Sequence, residues 1–283
     1  MSISKDIGLH NSELNSFMRP WLRVPKVQLL FVLLVIFGVA LLVHAPRRGV
    51  FIIAATLGFC VFFDLFFTFI KKGKLFIPFS GMVTALIVAL LADPNAFWYQ
   101  VALVSAIAMG TKNFLRISGR HVFNPAAIGL FAGGILFHQY VTWWGVSFPS
   151  IREMSILNLA LFLLVVLPVA ISGYRLRRFP SILSFLIVSI LLSLIQTLSF
   201  SLAPLGGKLT DSVTVFFATV MLPEPMTSPA TKKRQVIFGV AVAAIAAVLS
   251  HPQVSAVLST NGLLPDVFIP ALLIGNILFS KFK

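Results

Sequence analysis

Residues 80–94 read SGMVTALIVALLADP, a short apolar run that ends at an aspartate followed by a proline. A straight helix needs roughly 20 apolar residues to cross a bilayer, and this run is shorter. Short apolar segments that end in proline are typical of half-helices that break inside a membrane. The stretch therefore predicts a membrane-embedded protein with an interrupted helix.

A second stretch has the same arrangement. Residues 211–225 read DSVTVFFATVMLPEP, with Val-Thr at the start of the apolar run and Glu-Pro at its end. Later in each half, the motif at 123–126 (FNPA) matches that at 268–271 (FIPA). The pattern favours an internal repeat, although proline could simply mark loop ends. Broken helix ends need protein, trapped water or a polar ligand as partners, so we expect a ligand site between them.

Composition extends the membrane interpretation to the whole chain. Of its 283 residues, 58% are hydrophobic and 11% are charged, against roughly 25% charged in soluble proteins. We predict an all-α integral membrane protein with about ten transmembrane helices, in a single domain over 28–283 that follows a cytoplasmic segment, 1–27. The approximate spans are 28–44, 50–70, 79–92, 97–110, 122–138, 155–172, 180–200, 211–222, 235–250 and 263–280.

The placement of basic residues predicts the orientation. With the N-terminus in the cytoplasm, 18 of the 22 lysines and arginines fall on cytoplasmic segments, and only Arg47, Arg48, Arg152 and Lys208 do not. This alternation follows the positive-inside rule and places both termini on the cytoplasmic side of the inner (cytoplasmic) membrane. Two halves of five spans, about 28–138 and 155–280, must then be inverted repeats. The net charge of +14 is therefore a topology signal, and no nucleic-acid partner is expected.

Several polar residues in or beside the spans could carry chemistry. Asp64, within a run of phenylalanines, is either an ion or proton site or a buried ion pair or neutral carboxyl. Asp93 and Glu224 favour turns and helix-end hydrogen bonds. Thr84 and Thr214 could bond to the preceding turn or to a ligand. The five histidines, which include His44, His121, His138 and His251, are expected at the interfaces rather than in a metal site, as is an aromatic belt at 98–99 and 140–144.

Asn124 precedes a proline, so an extended backbone is expected there, with its side chain free for exposed backbone groups or a ligand. Three groups of residues around it resemble a known family. They are SGMVTALIVALLADP at 80–94; Lys112-Asn113 with RHVFNPAAIG at 120–129; and FFAT at 216–219 through EPMTSP at 224–229, followed by RQVIFG at 234–239. From about residue 28 onward the chain is similar to the NqrB/RnfD family, membrane subunits of the sodium-translocating NADH:quinone reductase and of the Rnf electron-transport complex.

The resemblance implies a flavin-carrying membrane subunit of an electron-transport complex coupled to sodium or proton movement. Members carry FMN covalently on a threonine in a Ser-Gly-Ala-Thr type motif outside the membrane, and can hold riboflavin non-covalently. This chain departs from the pattern because Thr142 is the only threonine in the short loop 138–154 and lacks the Ser-Gly-Ala context. Glu224 also replaces the family's aspartate. We therefore expect a non-covalent flavin, riboflavin or FMN, and no covalent FMN.

The leading hypothesis is a redox subunit, part of an ion translocase rather than a stand-alone enzyme, with other membrane or cytoplasmic redox subunits as partners beside the lipid bilayer. The expected flavin-contacting residues are Thr84, Asp93, Asn124, Thr214, Glu224 and Thr227, with Asp64 on an ion pathway and no metal site. The loop 227–231 with the basic residues 232–234 could dock a partner or bind phosphate, or serve topology alone. The alternatives are a transporter or channel-like protein and a structural subunit that anchors partners.

Overall fold

The computed structural model describes residues 25–44, 46–74, 76–138, 140–147, 163, 177–197, 211–260 and 266–282. This part of the chain is all-α apart from one small hairpin. The helices are α1 (Pro25–His44), α2 (Gly49–Lys72), α3 (Phe79–Leu91), α4 (Trp98–Phe114), α5 (Pro125–Phe137), α6 (Phe179–Thr197), α7 (Ser212–Phe216), α8 (Lys232–Leu249), α9 (Pro252–Thr260) and α10 (Phe268–Leu278). A π-helical turn, Phe217–Met221, continues α7, and a 3₁₀ turn, Ser280–Phe282, follows α10.

Within the described residues two helices, α1 and α2, are long and apolar enough to cross a membrane, and several shorter apolar helices accompany them. Each predicted span within the described residues has a helix at its position. The predicted span 155–172 and most of the segment 1–27 lie outside those residues. The helix α9 and the antiparallel hairpin of β1 (Arg116–Ile117) and β2 (Arg120–His121) were not anticipated. Ser118 and Gly119 make its turn, with φ values of 50° and 79°, a backbone conformation that glycine adopts readily.

The polarity of α2 is reversed relative to that of a helix in a water-soluble protein. Its buried stripe includes Thr56, Cys60, Asp64 and Thr68, which recur every four residues along one helix face. Its exposed large apolar residues include Phe51, Phe62, Phe66, Phe69 and Ile70, and its exposed lysines, Lys71 and Lys72, lie in the last turn. Polar groups therefore lie inside the helix bundle, and aromatic rings cover this part of its outer surface.

Two groups of three helices, one early and one late in the described chain, have a similar packing pattern. In the first half α4 packs along both α2 and α5, and in the second α8 packs along both α6 and α10. A glycine permits close approach in each half, because a Cβ on Gly129 of α5 would lie 2.9 Å from Ala108 Cβ, and one on Gly275 of α10 would lie 2.6 Å from Val242 Cγ2. The two halves meet where α5 contacts α10.

Three aromatic residues expected in an interfacial belt lie in the core instead. Tyr140, Trp143 and Trp144 are buried, whereas Trp98 and Tyr99 are exposed. The buried three belong to the loop that folds over the end of α3, where the Trp144 indole donates to a helix carbonyl and the Trp143 indole donates to Asp266. Hydrogen-bonding partners for the indole N–H groups let these large rings be buried without leaving a donor unsatisfied.

Candidate functional site

The broken end of α3 is closed by the chain itself. Trp144 Nε1 donates to the Ala89 carbonyl at 2.9 Å, and the backbone N–H groups of Thr142, Trp143 and Gly145 donate to the Leu90 and Leu91 carbonyls at 2.8–3.1 Å. Thr142 Oγ1 donates to the Ala92 carbonyl at 3.4 Å. These carbonyls would otherwise be unsatisfied at a helix C-terminus. The expected ligand is therefore not needed to satisfy this helix end.

The end of the second broken helix is held by Asn124, which also begins α5. The backbone of Asn124 is extended, with φ −60° and ψ 120°, as expected before a proline. Its Oδ1 accepts from the Ala127 N–H at 3.1 Å, and its Nδ2 donates to the Met221 carbonyl at 3.3 Å. One side chain therefore caps α5 and ties it to the π-helical turn of the other half.

The π-helical turn explains a difference in length between the two broken segments. The sequence has one residue more between Thr214 and Glu224 than between Thr84 and Asp93. A π-helical turn accommodates a single extra residue in a helix and occurs frequently at functional sites. The turn keeps Phe217–Met221 buried, and Glu224, three residues after it, contacts His121.

Asp64 forms a buried ion pair. Its side chain is 1% exposed, and Lys112 Nζ lies 2.7 Å from Asp64 Oδ2. Asn113 Nδ2 donates to Asp64 Oδ1 at 3.3 Å, and Thr68 Oγ1 donates to Asn113 Oδ1 at 3.1 Å. Of the alternatives that the sequence left open for Asp64, the geometry matches the buried pair, in which partners offset the cost of removing the charge from water.

Gly81, at the start of α3, provides the space that Asp64 occupies. A Cβ at position 81 would lie 2.8 Å from Asp64 Oδ2 and 3.1 Å from Asp64 Cβ. Those distances are too short for any larger residue unless α2 and α3 move apart. The glycine at position 81, in the first quoted stretch, is therefore a packing requirement of the ion pair.

The ion pair lies on a cleft of about 270 Å³ that is lined by several basic residues. We call it the basic cleft. Its walls are Lys26, Asp64, Thr68, Lys72, Lys74, Phe76, Ser80, Lys112, Asn113, Arg116, His121 and Met226. Asp64 is the one carboxylate among these residues, and Lys112 already neutralises it. The exposed lysines and Arg116 therefore give the cleft a net positive potential, which favours an anionic ligand.

His121 and Glu224 connect the two halves of the chain beside the basic cleft. His121 Nε2 lies 3.0 Å from Glu224 Oε1, and the histidine side chain is buried. Thr227 Oγ1 donates to Glu224 Oε2 at 3.2 Å. The sequence predicts a position at the membrane interface for His121; its ring lies inside the protein, with the Glu224 carboxylate as its partner. The hydroxyls of Thr227 and Ser228 both bond to Glu224.

No protein-family model matches the chain, and no curated protein is significantly similar to it.

None of the six expected flavin-contacting residues lines the basic cleft. Glu224 and Thr227 contact each other, and Asn124 contacts Met221 of the same segment. The other three lie elsewhere or bond locally. Thr84 Oγ1 donates to the Ser80 carbonyl at 3.0 Å, one turn away from the cleft, and Thr214 Oγ1 donates to the Asp211 carboxylate. Asp93 makes a turn by accepting from the Asn95 N–H at 2.9 Å, beside the closed end of α3.

Sequence reasoning missed Lys112 and His121 as site residues. Lys112 was interpreted through the positive-inside rule, and His121 through the preference of histidine for the membrane interface. Both rules describe where a span ends and do not describe what the side chain contacts. The position of Lys112 on its helix was a signal. In α4, Lys112 and Asn113 lie one turn beyond Met109 on one face of the helix. That face also contains Val101 and Ser105, and all of these residues are buried. A lysine on the buried face of a membrane helix requires a carboxylate partner, and Asp64 was the acid within a neighbouring span.

Replacement of Asn124 separates its two contacts. We expect Asn124→Ala to lower the free energy of unfolding by about 2 kcal/mol, because it removes a helix cap and a buried hydrogen bond. Asn124→Ser keeps a side-chain oxygen for the cap but is too short to reach Met221, so about half of that loss is expected. Denaturant titration of the purified protein in detergent measures both. Equal losses in the two variants would contradict the assignment of separate roles.

Proposed function

We propose that the chain is an integral membrane protein of about ten helices in the inner (cytoplasmic) membrane. The reversed polarity of α2 supports this, because a lipid-facing surface favours phenylalanine and a bundle interior can hold paired polar groups. The clustering of Lys26, Lys72, Lys74 and Arg116 around one cleft supports a single cytoplasmic face, as the positive-inside rule expects. Both termini lie on that face.

The proposed architecture is two inverted five-helix repeats with broken helices at equivalent positions. Its support is the matched packing of α4 in the first half and α8 in the second, the glycine contact in each half, and the meeting of α5 with α10. Inverted repeats of this kind place functional sites where the halves meet. The Asn124–Met221 and His121–Glu224 contacts are such meeting points.

Within this architecture we propose an electron-transport subunit similar to those of the NADH:quinone reductase and Rnf complexes, which passes electrons between partner redox proteins. The observation that carries the proposal is that separate segments of the chain meet around one cleft. The family-like segments are far apart in sequence, yet Ser80, Lys112-Asn113, His121 and Met226 all line the basic cleft.

The basic cleft is the proposed binding site for the non-covalent flavin. The broken helix ends are closed by residues 142–145 and by Asn124, so the cleft replaces the space between those ends as the site. Its lysines and Arg116 are suited to the phosphate of FMN, because cationic side chains make short, strong hydrogen bonds to phosphate oxygens. Phe76 on the cleft wall provides an apolar surface for part of the ligand.

One observation favours a second candidate, a transporter for a small anion. The Asp64–Lys112 pair is buried beside the cleft, and ionisable pairs inside membrane proteins often mark substrate or proton pathways. A transporter would bind its anion reversibly in the basic cleft and carry no chromophore. Uptake of a labelled anion into liposomes, in the absence of any flavin, would establish this alternative.

Co-purification tests the flavin proposal. We expect protein extracted in mild detergent to carry a near-stoichiometric flavin, detected by its absorbance and identified by mass after denaturation. The double variant Lys72→Gln/Lys74→Gln should bind FMN at least about tenfold more weakly, because charge-assisted hydrogen bonds are lost. Lys232→Gln/Lys233→Gln removes the same charge away from the cleft and should bind normally. Colourless protein that fails to bind added FMN would exclude the proposal.

A further inference from the structure

A groove of about 880 Å³ runs along the first turns of α6 and α8, and we call it the α6–α8 groove. The two helices run in the same direction, because Arg178 before α6 bonds to Pro229 before α8, and Ser184 lies against Gly239 farther along. None of the described residues that line the groove is acidic, and none of them lines the basic cleft. The groove is therefore a separate feature of the molecule.

One end of the groove is basic. Arg177 lies just before α6 and Lys232 is the first residue of α8, and both residues line the groove and are exposed. Neither belongs to an ion pair within the described part of the chain. Since both helices begin here, the positive ends of two helix dipoles add to these charges. This end of the groove therefore favours an anion.

Arg177 has a backbone conformation that glycine adopts more easily. Its φ is 54°, in the left-handed region that is unfavourable for residues with a Cβ. The neighbouring Arg178 is buried and donates to the Pro225 and Pro229 carbonyls, which fixes the start of α6 against the loop before α8. Arg177 is thereby held on the groove with Lys232, and a residue held in a strained conformation beside a groove is a candidate for a ligand contact.

The rest of the groove is largely apolar. Phe179, Leu183 and Ile187 recur every four residues on α6 and line the groove together with Val236 of α8. All four are large hydrophobic residues that are exposed. From Phe179 to Ile187 the apolar wall extends about 12 Å along the helix. The groove therefore combines a cationic end with an elongated apolar wall, a pattern that fits an amphiphilic ligand better than a small soluble anion.

We propose that the α6–α8 groove binds an anionic phospholipid, with the phosphate between Arg177 and Lys232 and an acyl chain along Phe179, Leu183 and Ile187. Arginine and lysine make short, strong hydrogen bonds to phosphate oxygens, and basic pockets between helices on the cytoplasmic side are suited to anionic headgroups. The proposal rests on the membrane location and orientation proposed above. It does not depend on a flavin in the basic cleft, because the two sites share no lining residue.

Native mass spectrometry of the full chain in detergent, with equal amounts of phosphatidylglycerol and phosphatidylcholine added, tests the site. We expect wild type to retain phosphatidylglycerol in preference, because the choline cation is repelled by two basic residues. Arg177→Gly/Lys232→Gln should lower the affinity for phosphatidylglycerol at least about tenfold, through the loss of charge-assisted hydrogen bonds. Arg177→Gly alone should weaken binding without lowering the thermal midpoint in lipid-free detergent, because glycine tolerates the left-handed backbone.

Two control variants match these changes. Lys233→Gln removes the charge of an exposed neighbour of Lys232 that does not line the groove, and it should leave lipid binding unchanged. Leu183→Trp fills part of the apolar wall and should weaken phosphatidylglycerol binding, whereas Leu103→Trp adds the same ring at an exposed position of α4 and should not.

The outcomes separate the lipid site from the membrane location on which it rests. Equal retention of the two lipids by wild type, or an equal loss in Lys233→Gln, would overturn the site and leave the membrane location intact. Phosphatidylglycerol binding that Leu183→Trp does not weaken would also overturn it, because the apolar wall would then hold no acyl chain. Protein that stays monodisperse without detergent and binds neither lipid would overturn both.

Discussion

Replacing Lys112 with methionine is expected to lower the free energy of unfolding by about 3–5 kcal/mol, because it leaves a buried charge without its partner. Asp64 is 1% exposed and receives the Lys112 ammonium at 2.7 Å. With the ammonium gone, only the 3.3 Å hydrogen bond from Asn113 remains among the polar contacts described for this carboxylate. Denaturant titration in detergent measures the loss, and the yield of monodisperse protein gives an independent measure of folding.

The double variant Asp64→Asn/Lys112→Met distinguishes the effect of an unpaired charge on stability from the effect of side-chain packing. It removes both charges and keeps the side-chain volumes, so it should be more stable than Lys112→Met alone and within about 1–2 kcal/mol of wild type, because a buried ion pair contributes little net stability. Lys72→Met is the control for loss of a lysine, since Lys72 is exposed on the same cleft and should change stability by less than about 0.5 kcal/mol. A double variant as unstable as Lys112→Met would mean that the ammonium acts on something other than Asp64.

The positions of the helices could be predicted from sequence because they depend on hydropathy and on proline positions, which are properties of the local sequence. The short runs at 80–94 and 211–225, the extended backbone of Asn124 and the turn at Asp93 all follow from the residue types and their neighbours. The π-helical turn could not be predicted in the same way, although the extra residue before Glu224 was visible. A one-residue difference becomes a signal only when two segments are already known to be equivalent.

The partners of the polar groups could not be predicted, because they depend on tertiary contacts. Asn124 and Met221 are nearly a hundred residues apart, and so are His121 and Glu224. The closure of α3 by residues 142–145 was missed for the same reason. A Tyr-Trp-Trp cluster beside a predicted span is typical of an interfacial belt, and nothing local indicates that its indoles will donate to a helix carbonyl and to a partly buried carboxylate.

Gly239→Ala is expected to destabilise the second half by about 3 kcal/mol, because the added methyl would overpack a close helix contact. A Cβ at position 239 would collide with Ser184 Oγ and with the Ser181 carbonyl oxygen, and would lie 3.0 Å from the Phe185 backbone nitrogen. Two of these three atoms are backbone, so a rotamer change cannot relieve the contact. The helices α6 and α8 would have to separate along the surface that joins them most closely.

Two variants make this prediction specific. Gly58→Ala adds the same methyl to α2, where a Cβ meets nothing within 4 Å, and it should be neutral or stabilising by about 0.5–1 kcal/mol, as alanine is favoured over glycine within helices. Ser184→Gly in the Gly239→Ala background removes the clash with the hydroxyl but not with the Ser181 carbonyl, so only part of the stability should return. Full recovery in the double variant would mean that the side chain alone sets the spacing of α6 and α8. If Gly239→Ala matched Gly58→Ala in stability, the close packing of these helices would be wrong, and the correspondence between α4 and α8 that supports the inverted repeat would fail with it.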